Sequence, residues 1–145
     1  MSNTDRAPIL LIADDDADDR LMLSRSLQDA GFEGDIEFCL NGEQLLHRLR
    51  REGAKLPSLV LLDLKMPFVG GLEALEMIRA DARLSALPVV AVTTSDMPSD
   101  VLQAYRLGVN AYVRKPGSMA QLRSMMEVLK RFWFDVAIVP GAVLP

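Results

Sequence analysis

The stretch Leu59-Val60-Leu61-Leu62-Asp63-Leu64-Lys65-Met66-Pro67-Phe68-Val69-Gly70-Gly71 decides how the chain is read. Its four leading apolar residues suit a strand buried on both faces, as in the middle of a parallel sheet. The run ends abruptly in a carboxylate, Asp63. Lys65, a Met-Pro step and a Gly pair then signal a loop, and a helical pattern resumes at Leu72. Asp63 is therefore predicted at the carboxyl end of a buried strand, the edge at which open α/β sheets bind ligands. The plainer reading, that Asp63 only caps a turn before the helix, is set aside because a second acidic group reaches the same edge.

That second group lies upstream. Ile9–Ala13 reads as a first strand and runs into Asp14, Asp15 and Asp16, then Asp18 and Asp19. A helix is predicted from Ala17, carrying Leu21, Leu23, Leu27 and Ala30 and stopped by Gly31. Asp35–Leu40 reads as a second strand with Ile36, Phe38 and Leu40 on one side, and Asn41 as the cap of a helix running to about Gly53. After the central strand come a helix with Leu72, Leu75, Met77 and Ile78, and a fourth strand, Pro88–Thr93. Ser99 is the expected cap of a short helix through Leu102 and Tyr105, closed by Gly108. Ala111–Arg114 is the fifth strand, followed at once by Lys115 and Pro116, and a last helix runs from about Ser118 past Trp133.

Strand and helix alternate five times over short connections. This predicts an α/β fold with a doubly wound parallel sheet and helices on both faces. The 145 residues suffice for one domain, expected to span 1–145 with a core of about 8–130 and a C-terminal helix extension and tail of about 131–145. Half the residues are apolar and a quarter charged, and the net charge of −4 argues against a general nucleic-acid binder. Cys39 is the only cysteine, so no intrachain disulfide can form. The first residues, MSNTDRAP, hold no apolar signal core, and no apolar stretch is long enough to cross a bilayer. A cytoplasmic protein is expected, with no nucleic-acid or membrane partner.

The strand ends then deliver a chemistry. Strand one brings Asp14 and Asp15, strand three Asp63, strand four Thr93 and strand five Lys115. Carboxylates converging on one crevice repel unless a positive charge sits among them, and Mg²⁺, with its oxygen ligands and retained waters, fits that need. A hydroxyl and an ammonium beside it would bind phosphate oxygens. Asp63, at the centre, suits a nucleophile for phosphorus. Asp16 and Asp18 read instead as helix-capping residues. The acidic first loop would repel a bare phosphate, and no G-x-x-x-x-G-K-[ST] occurs, which argues against a nucleotide-binding loop.

On these residues the sequence resembles response-regulator receiver domains, the phosphoacceptor modules of two-component signalling. The likeness runs from Ile9 to the last helix. IADDD matches the family's acidic pair at Asp14 and Asp15, LLDLKMP its phosphorylated aspartate at Asp63, VVAVTTS its switch hydroxyl at Thr93 with Thr94 beside it, and AYVRKP its lysine at Lys115. The resemblance implies a flavodoxin-like sheet of order 2-1-3-4-5. It implies Mg²⁺ held by the acidic pair, Asp63 and the backbone carbonyl of Lys65. It also implies that Tyr112 couples to the switch and that Pro116 is a candidate cis-proline. LDLKMP, TTS and FWFDVAIVP look most like the stand-alone receivers associated with bacterial phytochrome kinases.

The family then implies a phosphoacceptor, not an enzyme acting on other substrates. A sensor histidine kinase, of bacteriophytochrome type, would phosphorylate Asp63, and the face made by helix four, strand five and helix five would switch for partner binding or phosphorelay. Lys65 and Ser95, two residues after Asp63 and Thr93, offer no acid or amide to orient water, so moderate to slow self-dephosphorylation is expected. Two alternatives stand beside this: a receiver-like binding module that is never phosphorylated, and a phosphatase with an aspartate nucleophile. The second wants an acid two positions after the nucleophile, where Lys65 stands.

At the C-terminus Leu122, Met125, Met126, Leu129 and Trp133 form a core stripe at helical spacing. Val128, Phe132 and Phe134 lie off it, and Val136–Val139 continues the apolar run. A helix end apolar nearly all round wants a partner, so a homodimer through Phe132, Trp133, Phe134 and Val136 is predicted, with packing back onto the same chain as the alternative. His47 lacks any metal-binding partner in sequence, and Arg48, Arg50 and Arg51 read as a solvated face.

Overall fold

In the computed structural model, which describes residues 7–140, the alternation is realised five times. Strands β1 (Ile9–Ala13), β2 (Asp35–Cys39), β3 (Leu59–Leu62), β4 (Val89–Thr93) and β5 (Ala111–Arg114) alternate with helices α1 (Ala17–Asp29), α2 (Gly42–Arg50), α3 (Gly71–Ala80), α4 (Pro98–Arg106) and α5 (Met119–Lys130). All strands are parallel, in the order β2-β1-β3-β4-β5. This is the flavodoxin-like arrangement expected from the sequence. Every residue of β1, β3 and β4 is buried, as their unbroken apolar runs require.

Alternation along the strands builds two cores. Leu10, Ile12, Leu59, Leu61, Val90 and Val92 point to one face and pack with Leu23 and Leu27 of α1 and Leu122, Met126 and Leu129 of α5. Leu11, Ala13, Val60, Leu62, Val89 and Ala91 point to the other and pack with Leu45 and Leu49 of α2, Leu75 and Ile78 of α3 and Ala104 of α4. No helix among the described residues is long and apolar enough to cross a membrane.

The departures from expectation have local causes. β2 is an edge strand with a sheet neighbour on one side only. Ile36 packs on the α1–α5 core, but Phe38 and Leu40 stay 46 % and 42 % exposed. Leu40 lies past the strand, its N–H donated to Gln44 Oε1 (2.8 Å) at the start of α2, where Asn41 is the cap. α2 stops at Arg50, short of Gly53. α4 starts one residue earlier than its expected cap: Met97 is the N-cap and Pro98 takes the first helical position, where a missing N–H costs nothing. Its Leu102 and Tyr105 are exposed.

After α5 the backbone widens into one turn of π-helix, Arg131–Val136, with the Ala137 N–H donating back to Phe132 O at 2.6 Å. A wider turn advances each residue by a smaller angle. Trp133 and Phe134 therefore both reach the α1–α5 core, and Phe134 meets Phe32 edge-on at 4.8 Å. Two of the four predicted dimer residues are thus packed on their own chain, while Phe132 and Val136 face outward. The expected tail beyond Pro140 and the polar start, residues 1–6, lie outside the described residues.

Arg48 is the clearest correction to the solvated-face reading. It is buried, and its Nε and Nη2 grip both oxygens of Glu37 on β2 (2.6 and 3.1 Å), while Nη2 also donates to Lys55 O (2.7 Å). The bond from Arg48 holds the Glu37 carboxyl below its ordinary range despite partial burial. His47 and Arg50 on the same helix are exposed, as expected. Arg48 thus fastens α2 to the sheet edge. Arg48→Ala is expected to lower stability by about 2 kcal/mol, read as a lower urea midpoint. A midpoint within error of wild type would mean the clasp contributes nothing.

Candidate functional site

The last rungs of the sheet assemble the site. Asp63 N–H donates to Ala13 O (2.9 Å), Asp14 N–H to Cys39 O (3.0 Å) and Lys115 N–H to Thr93 O (2.7 Å). Each functional residue is therefore fixed by a backbone bond to the adjacent strand, one step past the ladder. Gly71, the first residue of α3, is required for this: a Cβ there would collide with Asp63 O and Leu64 Cα.

Carboxylate oxygens of Asp14, Asp15 and Asp63 can all lie within 4.8 Å of one another, with Asp14 and Asp63 buried and Asp15 exposed. Lys115 Nζ reaches into the cluster, bonded to Asp14 Oδ2 (2.7 Å), Asp19 Oδ2 (2.8 Å) and Asp63 Oδ2 (3.1 Å). Burial alone would lower the lysine pKa, but the bonds to Asp14 and Asp19 and the charges of Asp63 and Asp14 outweigh it and hold the ammonium protonated. Burial raises the Asp14 pKa, opposed by the bonds from Lys115 and from Asp16 N–H. Such a set of hard oxygen donors, with more negative charge than the one ammonium balances, fits a divalent cation such as Mg²⁺.

Thr93 ends β4 at the same edge of the sheet. It is fully buried, and its hydroxyl has no hydrogen-bond partner among the described residues. Thr94 is exposed. Lys65 is exposed as well, and its N–H donates to Asp63 Oδ1 at 3.1 Å. Tyr112 stands opposite Ala91 on β5, half-buried against the α2–α4 core, and its hydroxyl donates to Ser95 O at 2.7 Å. Burial raises the phenol pKa, which keeps that donor protonated. The Lys115–Pro116 bond is trans, the default for an X–Pro bond, and no cis peptide occurs among the described residues.

Two participants escape a reading of the sequence alone, and a third, Ser95, has a contact that the sequence does not show. Asp19 looks like one more in a run of aspartates, yet it holds Lys115. Arg20 Nη1 donates to Asp14 O (2.8 Å) and braces the acidic loop. Ser95 points away from the pocket: its hydroxyl donates to Asp100 Oδ2 (2.6 Å) and accepts from Met97 N–H (3.3 Å) at the start of α4.

A profile of the response regulator receiver domain matches residues 10–127. The chain belongs to that family. It is 38 % identical to the probable methanogenesis regulatory protein FilR2 of Methanothrix harundinacea, over 92 % of this chain and 88 % of FilR2. It is 32 % identical to the response regulator Rcp1 of Synechocystis, over 98 % of this chain and all of Rcp1. The fold superposes on the phosphorylated cyanobacterial phytochrome response regulator RcpA with a TM-score of 0.87 at 29 % identity, covering 92 % of this chain and 99 % of RcpA. It superposes on a Mn²⁺-bound form of Rcp1 with a TM-score of 0.85 at 28 % identity, covering 92 % and 99 %. This receiver is thus related to phytochrome response regulators.

In this receiver the Thr93 hydroxyl is a cost to the fold, since a buried hydroxyl without a partner forfeits its hydrogen bonds to water. Thr93→Val keeps the shape and removes the polar atom. It is expected to raise stability by about 1 kcal/mol in urea unfolding. A destabilised variant would show that the hydroxyl is bonded in solution.

Proposed function

We propose that this chain is a stand-alone response regulator that accepts a phosphoryl group on Asp63 from a phosphohistidine of a sensor histidine kinase, one of bacteriophytochrome type. The observation that carries the reading is the convergence, at one sheet edge, of the Asp63 carboxylate, the Lys115 ammonium 3.1 Å from it and the partnerless hydroxyl of Thr93. The relation to RcpA and Rcp1 supports the choice of kinase class, and the full-length match to Rcp1 supports the stand-alone reading.

An Asp63 carboxylate oxygen attacks phosphorus. The O–P bond forms as the P–N bond to the imidazole breaks, and the electron pair stays on the imidazole nitrogen, which takes up a proton. Lys115 remains charged and binds a phosphoryl oxygen, and the Thr93 hydroxyl donates to another. Asp14, Asp15, Asp63 and the Lys65 carbonyl would hold Mg²⁺, which when bound neutralises carboxylate and phosphoryl charge. Movement of Thr93 toward the phosphoryl group pulls on the β4–α4 loop. That loop is tied to β5 by the Tyr112–Ser95 bond, so the change reaches the face formed by α4, β5 and α5. With Ser95 turned toward Asp100, neither it nor Lys65 brings an acid or amide to the attacking water, in keeping with moderate to slow self-dephosphorylation.

Acetyl phosphate with Mg²⁺ tests the acceptor without a kinase. Wild type is expected to gain one phosphoryl group by intact-mass spectrometry and Asp63→Asn none. Equal labelling of the two would end the proposal.

The same reading includes a homodimer through the C-terminal extension. Val128, Phe132 and Val136, four residues apart, are 65 %, 50 % and 71 % exposed and form one outward apolar stripe. Full-length chain is expected to sediment as a dimer, and a Phe132→Asp, Val136→Asp double variant as a monomer. A monomeric wild type at tens of micromolar would refute the dimer.

A further inference from the structure

We propose that Asp19 is a positioning residue for Lys115: a tether from the first turn of α1 that holds the ammonium at the sheet edge while a phosphoryl group arrives on Asp63. The inference rests on the phosphoacceptor reading and adds a residue to it.

A lysine ammonium has three N–H donors. Here they are saturated by three carboxylates, at 2.7 Å (Asp14), 2.8 Å (Asp19) and 3.1 Å (Asp63). The longest bond goes to the group that is to be phosphorylated. When Asp63 takes up phosphate, that N–H turns to a phosphoryl oxygen, and the other two bonds must keep the ammonium in place. Of the two remaining carboxylates, Asp14 belongs to the cluster suited to a cation and Asp19 does not. Asp19 is therefore the acid committed to the lysine.

The helix start explains why Asp19 is available. It stands three residues after the N-cap Asp16, where an acidic side chain ordinarily folds back onto the cap's own N–H. Here the Asp16 N–H is already taken by Asp14 Oδ1 (2.9 Å). The Asp19 N–H is held by Asp16 Oδ1 (2.9 Å), which fixes its backbone and leaves its carboxylate free to turn toward Lys115.

The lysine needs such a tether. Beside it lies a cavity of about 130 Å³, lined by Asp19 and Lys115 with Met22, Leu23, Pro116 and Leu122. A four-carbon side chain with open space on one side samples many rotamers, and Lys115 would have room to leave the strand ends. Asp19 and Lys115 both line that space, and the bond between them joins two of its walls.

The test is a double-mutant cycle on the full chain, with acetyl phosphate and Mg²⁺ as the probe. In this reaction an Asp63 oxygen bonds to phosphorus as the P–O bond to acetate breaks, acetate leaving with the electron pair. Asp19→Ala is expected to slow phosphoryl uptake about tenfold, the weight of one charge-assisted hydrogen bond. Asp19→Asn keeps an acceptor oxygen at the same reach and is expected to recover most of the rate. In a Lys115→Ala background, Asp19→Ala is expected to have no further effect. Equal slowing in both backgrounds would make Asp19 a structural residue and overturn the tether. Equal acceleration by Asp19→Ala and Asp19→Asn would make it a repelling charge and overturn the tether as well. A wild type that labels at Asp63 beside an unimpaired Asp19→Ala refutes the tether alone, whereas a folded wild type that takes up no phosphoryl group refutes the phosphoacceptor reading and the tether together.

Discussion

One ammonium shared among three carboxylates is the interaction on which the site depends. Without Lys115, the buried carboxylates of Asp14 and Asp63 would face each other with no cation of the chain's own between them. With it, they are held together but not neutralised, and the remaining negative charge suits the pocket to a divalent cation. Lys115 comes from the edge strand β5, which continues with β4 past Tyr112 and Ala91, the residues level with the ends of β1 and β3. The parallel register, not any local motif, creates the pocket: three ladder bonds one step past the strands place Asp14, Asp63 and Lys115 at a common edge. A one-residue slip would turn each side chain to the opposite face.

The two cores serve this register from both sides. Because β1, β3 and β4 are buried on both faces, their alternation is fixed by α1 and α5 on one side and by α2, α3 and α4 on the other. The pocket thus stands on buried strand ends, while the β4–α4 loop and Tyr112, bonded to each other, lie at the margin of the α2–α4 core. Under the proposed function, that division would let a small change at Thr93 be read at the surface without disturbing the strands that hold Asp63.

Much of this was legible in the sequence because it follows from short-range pattern. Continuous apolar runs located the central strands, and the residues immediately after them named Asp14, Asp15, Asp63, Thr93 and Lys115. What was not legible depends on partners distant in sequence or on small angular changes. Arg48 looks like its neighbours Arg50 and Arg51 until β2 brings Glu37 beneath it. Asp19 looks like a helix-start acid until β5 delivers Lys115 to it. Phe134 falls off the α5 stripe at ordinary helical spacing and joins the core only because the last turn widens. Arg79 gives no cue at all, yet its guanidinium ties Leu87 O, Gly108 O and Asn110 Oδ1 together where β4 and β5 begin.

The opposite ends of the sheet also carry opposite energetic character. At the end where β4 and β5 begin, the polar groups are paired, as the Arg79 clasp and the Asn110 Oδ1 bond from Val89 N–H show. At the carboxyl end the local rules are broken repeatedly. Thr93 has a buried hydroxyl without a partner among the described residues. Carboxylates crowd around one lysine. Phe68, in the loop after Asp63, is 83 % exposed and holds a φ of 65°, a conformation that costs a bulky side chain roughly 1–2 kcal/mol. Bonds from Gly42 N–H to Val69 O (2.9 Å) and from Gly71 N–H to Leu64 O (3.1 Å) pin that loop on either side of Phe68. Unfavourable features scattered at random would only weaken a fold. Ser26 Oγ and Arg48 Nη1 are also buried without partners elsewhere among the described residues, but crowded carboxylates and a strained loop meet an orphaned hydroxyl only at this edge, as in a site whose groups are kept ready for a ligand instead of for each other.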